Sequence, residues 1–120
     1  MKVCVTTAGE GLDAPVDSRL GRAQNLVIVD TETMEAETVT NPGREAGHGA
    51  GIQAAQEVAR TGASVLLAAH CGPKAFEVFR QAGIEVYAGA HGTVQTAVEG
   101  FLAGTLNKLE RADTAVGLGE

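Results

Sequence analysis

Aromatic side chains are scarce in this chain of 120 residues, which has no tryptophan, one tyrosine and three phenylalanines. Its 44% hydrophobic content comes mostly from Ala, Val and Leu, so the core it can build is tightly layered and made of small side chains. Cysteine is as rare: Cys4 and Cys71 stand far apart and neither belongs to a CxxC pair. That excludes a four-thiolate zinc or iron-sulfur cage built from one chain, and a structural disulfide is not expected in a cytoplasmic protein. A metal bound here must bring ligands of its own or borrow them from a second subunit. Positive charge is also in deficit, with 9 basic residues against 15 acidic ones and a net charge of -6. That argues against duplex nucleic acid and anionic membrane surfaces as partners, because both are recognised through clustered Lys and Arg. No window is apolar and long enough for a membrane span, and the apolar run in MKVCVTTAGEG is too short for a signal-peptide core. The chain reads as soluble and cytoplasmic.

What is present is one domain's worth of sequence, since ordinary domains run to about 100–150 residues, with sixteen glycines that imply many turns. Strands are expected at 2–7, 24–30, 35–41, 63–70 and 84–89, from short apolar or alternating runs bounded by Gly, Pro, Asn and Asp. Helices are expected from about 50 to 61, from Pro73 to Gly83, and from a Thr93 cap to Gly104; in the last, Val94, Ala97, Val98, Phe101 and Leu102 fall on one face. Residues 105–120 lose the periodicity and read as a fraying tail. The order βββαβαβα predicts an α/β fold: a mixed five-stranded sheet in which strand 2 runs against strands 1 and 3, while strands 1, 4 and 5 are parallel. In that topology the connections 8–23, 41–51, 70–74 and 89–94 share one edge, the carboxyl end of the parallel strands, where open α/β sheets commonly bind ligands.

All three histidines, His48, His70 and His91, fall in those connections, together with Cys71, Arg19, Arg22 and Lys74. Helix starts near Gly49 and Gly51, Gly72 and Gly92 would turn unpaired N–H groups and positive dipole ends toward the same edge, which suits an anionic guest. GHGAG lacks the Lys-Ser/Thr of a P-loop, so nucleotide binding has weak support. Cys71, beside a helix start and Lys74, is the candidate soft ligand, with His70 next to it; the competing reading is a small buried residue at a strand end. Taken alone, His70 and His91 can equally be strand-end residues bonded to carbonyls, and His48 a residue simply exposed in a loop. Gly21 in DSRLGRA supplies a turn that would aim Arg19 and Arg22, unless these pair with Asp13 or Asp17 on the surface. No nucleophile-base-orienter pattern surrounds Ser18 or Ser64, so no catalytic residue is assigned.

DSRLGRAQNLVIVD and NPGREAGHGAGIQAAQEVARTGASVLLAAHCGPKAFEVFRQAGIEVY resemble the dinitrogenase iron-molybdenum cofactor biosynthesis family, the NifX-like and NifB carboxyl-terminal domains. The resemblance covers about residues 1–104 as a single NifX-like domain, and is most specific in the GRA turn, GAG at 49–51, and GPKA at 72–75 followed by GI. It implies a three-layer α/β/α, ribonuclease H-like arrangement of strand order 3-2-1-4-5. It also implies a non-enzymatic protein that binds or carries a metal-sulfur cluster: a molybdenum-copper sulfide cluster, as in small free-standing members from anaerobes, or an iron-molybdenum cofactor precursor. Such a cluster is anionic and brings its own sulfide, which suits a chain with two thiols. A protein partner for transfer or regulation goes with that role. Two positions depart from the pattern: Leu20 stands where an aromatic residue is frequent before GRA, and Arg19 where His is common, so a His ligand is not available there. Two other readings stay open. One is a regulatory interaction module docking through Leu12, Val16 and Leu20; the other is a sensor of small anions or nucleotides.

Overall fold

The computed structural model describes residues 1–112. Its strands are β1 (Lys2–Thr7), β2 (Asn25–Asp30), β3 (Ala36–Thr40), β4 (Val65–Leu67), β5 (Glu85–Ala88) and β6 (Asn107–Lys108), and its helices are α1 (Ala50–Arg60), α2 (Pro73–Ala82) and α3 (Val94–Ala103). A 3-10 turn, Pro42–Glu45, precedes α1. The sheet order is β3-β2-β1-β4-β5-β6. Strand β2 is antiparallel to β1 and β3, whereas β1, β4 and β5 are parallel. The expected order and strand directions are therefore present, extended by one strand.

Side-chain alternation divides the core in two. Cys4, Leu26, Ile28, Leu66 and Val86 point to one face and pack with Ala54, Ala55 and Val58 of α1 and Ala75 and Phe79 of α2. Val3, Val5, Val27, Val29, Val65 and Leu67 point to the other face and pack with Val94, Ala97 and Val98 of α3. The result is three layers. Because both faces of β1, β2 and β4 are covered, these strands read as nearly unbroken apolar runs. Alanine at 54, 55 and 75 lets the helices approach the sheet closely, and Phe79, fully buried, contributes about 2–3 kcal/mol through its removal from water.

Two expectations need correction. The sheet has six strands, not five, because residues 107–108 of the expected tail pair antiparallel with β5. Thr105 N–H donates to the Gly100 carbonyl and Leu109 N–H to that of Val86, while Leu106 packs on one core and Leu109 on the other. Covering the β5 edge in this way satisfies backbone groups that would otherwise lie open. Two residues are too short to leave a periodic signal, so the strand was hidden; residues 113–120 of the expected tail lie outside the described residues. Strand β4 is also shorter than the 63–70 run, since Ala68 and Ala69 leave the sheet to meet Ala90 and Gly89.

Candidate functional site

The strand register fixes where the connections lie. Thr7 faces Asn25, which faces Thr40, and β1, β4 and β5 run in step, so 8–24, 41–49, 68–72 and 89–93 all emerge at the carboxyl edge of the parallel strands. Within that edge the structure makes two groups.

The first group lies on the α1 and α2 face. Asn41, completely buried, donates through Nδ2 to the carbonyls of Leu20 (2.9 Å) and Ala23 (3.0 Å), with Gly21 at 3.4 Å, and accepts at Oδ1 from Gly43 N–H (3.0 Å). Gly43 itself is wedged between two backbones: a Cβ there would lie 2.7 Å from the Gly21 carbonyl oxygen and nearer still to that of Ala50. Arg22 reaches across with Nη1 to the carbonyls of Ala46 (2.6 Å) and Arg44 (3.5 Å). These contacts join the GRA turn to the segment that ends in GAG. Gly49, at φ 73°, turns the chain into α1 in a left-handed conformation that favours glycine, and it brings no capping side chain. Among the described residues, the N–H groups of Ala50, Gly51 and Ile52 find no acceptor, and the first intrahelical bond of this end runs from Gln53 to Gly49. His48 is exposed beside them. Arg19 is exposed as well, its Nε 3.4 Å from Asp17, which is the surface pairing weighed against an aimed guanidinium.

Helix α2 packs against α1 and starts on the same face. Gly72 is its N-cap, without a side chain, and Pro73 is its first residue, where the missing N–H costs nothing. His70 and Lys74 are exposed. Cys71 is only 1% exposed and belongs to the core between sheet and helices, with its thiol 3.7 Å from the Gly72 carbonyl oxygen. A guest on the rim would meet its sulfur only after the 68–72 connection opened. Cys4 is deeper: burial, with the negative charge of Glu57 as a smaller cause, pushes its thiol up from 9.0 to about 12, which keeps it protonated and inert.

The second group is on the opposite face, and here the expectation of three available helix starts fails. Thr93 caps α3 by accepting from Thr96 N–H (3.1 Å). Val94 and Gln95 donate to the carbonyls of Ala14 and Leu12, and Gly92 accepts from Val16 N–H. The loop after β1 has consumed the donors of α3. His91 is exposed, its Nδ1 3.0 Å from the Gly89 carbonyl oxygen, and it borders a groove of about 370 Å³ along α3 with Thr96, Glu99 and Leu106. The apolar loop residues that suggested a docking surface turn inward: Leu20 is buried, and Leu12 and Val16 pack against the α3-side core. Among the described residues no three His, Cys, Asp or Glu side chains converge to hold a bare metal ion.

Asn41 and Gly43 were missed from sequence because Asn-Pro-Gly reads as an ordinary turn. The signal was there in part, since Asn before Pro is a helix-cap pattern, but the cap's second task, holding the GRA turn, depends on contacts about 20 residues away.

This architecture, a sheet whose carboxyl edge carries a glycine-rich helix start locked to an Arg-bearing turn, belongs to a recognised class. Residues 1–104 match the family model described as dinitrogenase iron-molybdenum cofactor, and the chain belongs to that family. It is 33% identical over 104 residues to a protein of Methanocaldococcus jannaschii, covering 80% of this chain and 88% of that one. Among solved structures it is similar to the apo form of the orange protein from Desulfovibrio gigas, at 45% identity and a TM-score of 0.89, covering 94% of this chain and 96% of that one. A NifB-type protein from Thermotoga follows at 34% identity and a TM-score of 0.80, with 94% and 97% covered. No helix among the described residues is long and apolar enough to cross a membrane.

Proposed function

We propose that this chain is a carrier, and not a catalyst, of an anionic metal-sulfur cluster that contains molybdenum, either a molybdenum-copper sulfide cluster or an iron-molybdenum cofactor precursor. The observation that carries the reading is the start of α1, where three successive N–H groups, at Ala50, Gly51 and Ile52, have no acceptor among the described residues. Donors of this kind, at the positive end of an 11-residue helix, favour an anion without requiring charged side chains. Gly49, with nothing within 4 Å of where a Cβ would stand, leaves room for a bulky guest beside Ala50 and Gly51, which are themselves buried, with Gly21, Arg19, Arg22 and His48 on one flank and His70, Gly72 and Lys74 on the other. His91 and Gly92 sit on the far face and take no part in this version of the site. Direct ligation to metal would come from His70, and from Cys71 once its connection opened. A cluster that arrives with its own sulfide needs neither a cysteine cage nor a three-residue ligand set, which fits the membership in the family and the similarity to the orange protein. Handing the cargo on calls for a protein partner, in a cytoplasmic setting, with neither nucleic acid nor membrane involved.

The test is anaerobic incubation of the full chain with tetrathiomolybdate and a cuprous salt, removal of unbound metal, and analysis of molybdenum and copper with a visible spectrum. Retention of molybdenum in fixed ratio to protein, with a charge-transfer band absent from the free reagents, is the expected result. A colourless protein free of molybdenum would overturn the proposal.

A further inference from the structure

The segment 42–49 that leads to the three donors has regular structure only at Pro42–Glu45 and carries three glycines, Gly43, Gly47 and Gly49. Left alone, such a segment would sample many conformations, and donors on a moving backbone hold a guest poorly. The structure fixes it from outside. Asn41 ties its beginning to the carbonyls of Leu20 and Ala23, and Arg22 grips its middle through the carbonyls of Ala46 and Arg44. We infer that Asn41 and Arg22 are positioning residues of the cargo site: they hold the glycine segment so that the N–H groups of Ala50, Gly51 and Ile52 converge on one guest. This inference rests on the carrier reading and deepens it. Arg22 acts here through one guanidinium nitrogen, Nη1, shared between two backbone oxygens, not through its charge on the cargo.

That distinction makes the idea testable. Lysine keeps the charge of Arg22, but its ammonium ends one bond short of the Nη1 that reaches both carbonyls, so Arg22→Lys and Arg22→Gln should behave alike. Both should weaken uptake from tetrathiomolybdate and a cuprous salt by about 10- to 100-fold, the range found when residues supporting metal ligands are removed. In the protein without cargo, both should lower the backbone 15N order parameters of residues 44–49 while those of β1 and β4 stay unchanged. Asn41→Asp, which keeps the acceptor for Gly43 but loses the donors, should mobilise residues 19–23 as well. Wild-type affinity in Arg22→Lys with a loss confined to Arg22→Gln would assign Arg22 a charge role and overturn the inference, and so would unchanged order at 44–49 in Arg22→Lys. If the wild-type chain takes up no cluster, the carrier reading falls by itself, and the order parameters still decide whether the two residues fix the segment.

Discussion

Gly43→Ala and Gly47→Ala, four residues apart in one connection, should change stability in opposite directions. At Gly43 the new methyl carbon would lie 2.7 Å from the Gly21 carbonyl oxygen, with the Ala50 carbonyl oxygen closer, whereas side-chain Cβ atoms stay beyond about 3.0 Å from such neighbours. Both obstacles are backbone, so the GRA turn and the start of α1 must separate by several tenths of an ångström, and the Asn41 bonds that span the gap lengthen with them. Overpacking of this kind costs about 1–3 kcal/mol. Alanine's smaller unfolded-state entropy returns about 0.5 kcal/mol, leaving a net loss of about 1.5 kcal/mol. At Gly47 nothing lies within 4 Å of the added carbon and φ is not positive, so only the entropic gain of about 0.4–1 kcal/mol remains. For a domain of this size 1 kcal/mol corresponds to about 3–5 °C in Tm. Urea titration followed by circular dichroism, with a thermal scan beside it, should show Gly43→Ala about 6 °C below the wild type and Gly47→Ala a few degrees above. Equal stabilities for the two variants would show that the wedge between the turns is not tight, and the account of how they are joined would be wrong.

The Cys4 thiol gives a pH dependence. Its proton is held up to about pH 12 in the folded protein, against an ordinary 9.0, so between these values only the unfolded chain releases it and stability falls as pH rises. The slope of about 1.4 kcal/mol per pH unit amounts to about 2 kcal/mol by pH 10.5. Cys4→Val should flatten that part of the stability profile, and parallel profiles from urea titrations at pH 8–10.5 would count against a buried, protonated thiol. Thr93→Ala removes the side chain that accepts from Thr96 N–H at 3.1 Å and should cost about 1 kcal/mol, with Thr93→Ser restoring most of it. No change in either variant would mean that the loop contacts of Val94 and Gln95 suffice to anchor α3.

The sheet was legible because its evidence is local. KVCVTT, NLVIVD and the run through Val65 to Leu67 are apolar, short and bounded by breakers, and the strand directions follow once the two βα crossovers are recognised. The common edge was legible for the same reason, as a consequence of topology. Local sequence did not reveal how the residues along that edge are used. Arg22 is spent on two carbonyls more than 20 residues away, Cys71 is folded under α2, and the first donors of α3 are consumed by residues 12 and 14; each depends on which loop crosses which helix end. Asn41 shows the limit most clearly, since its turn chemistry is visible in the sequence while the three carbonyl contacts that give it its place are tertiary. The membership of the family was readable because GRA, GAG and GPKA are short contiguous runs, of which GAG holds the one glycine, Gly49 at φ 73°, whose backbone favours glycine.

The central claim is that the backbone of 49–52 receives an anionic cluster, and titration of the 15N-labelled chain with tetrathiomolybdate and a cuprous salt under anaerobic conditions tests it directly. The account predicts that the largest amide shifts fall at Gly49, Ala50, Gly51 and Ile52, with smaller ones from Arg19 to Arg22. Shifts concentrated along the α3 groove around His91, or a spectrum that does not move, would contradict it.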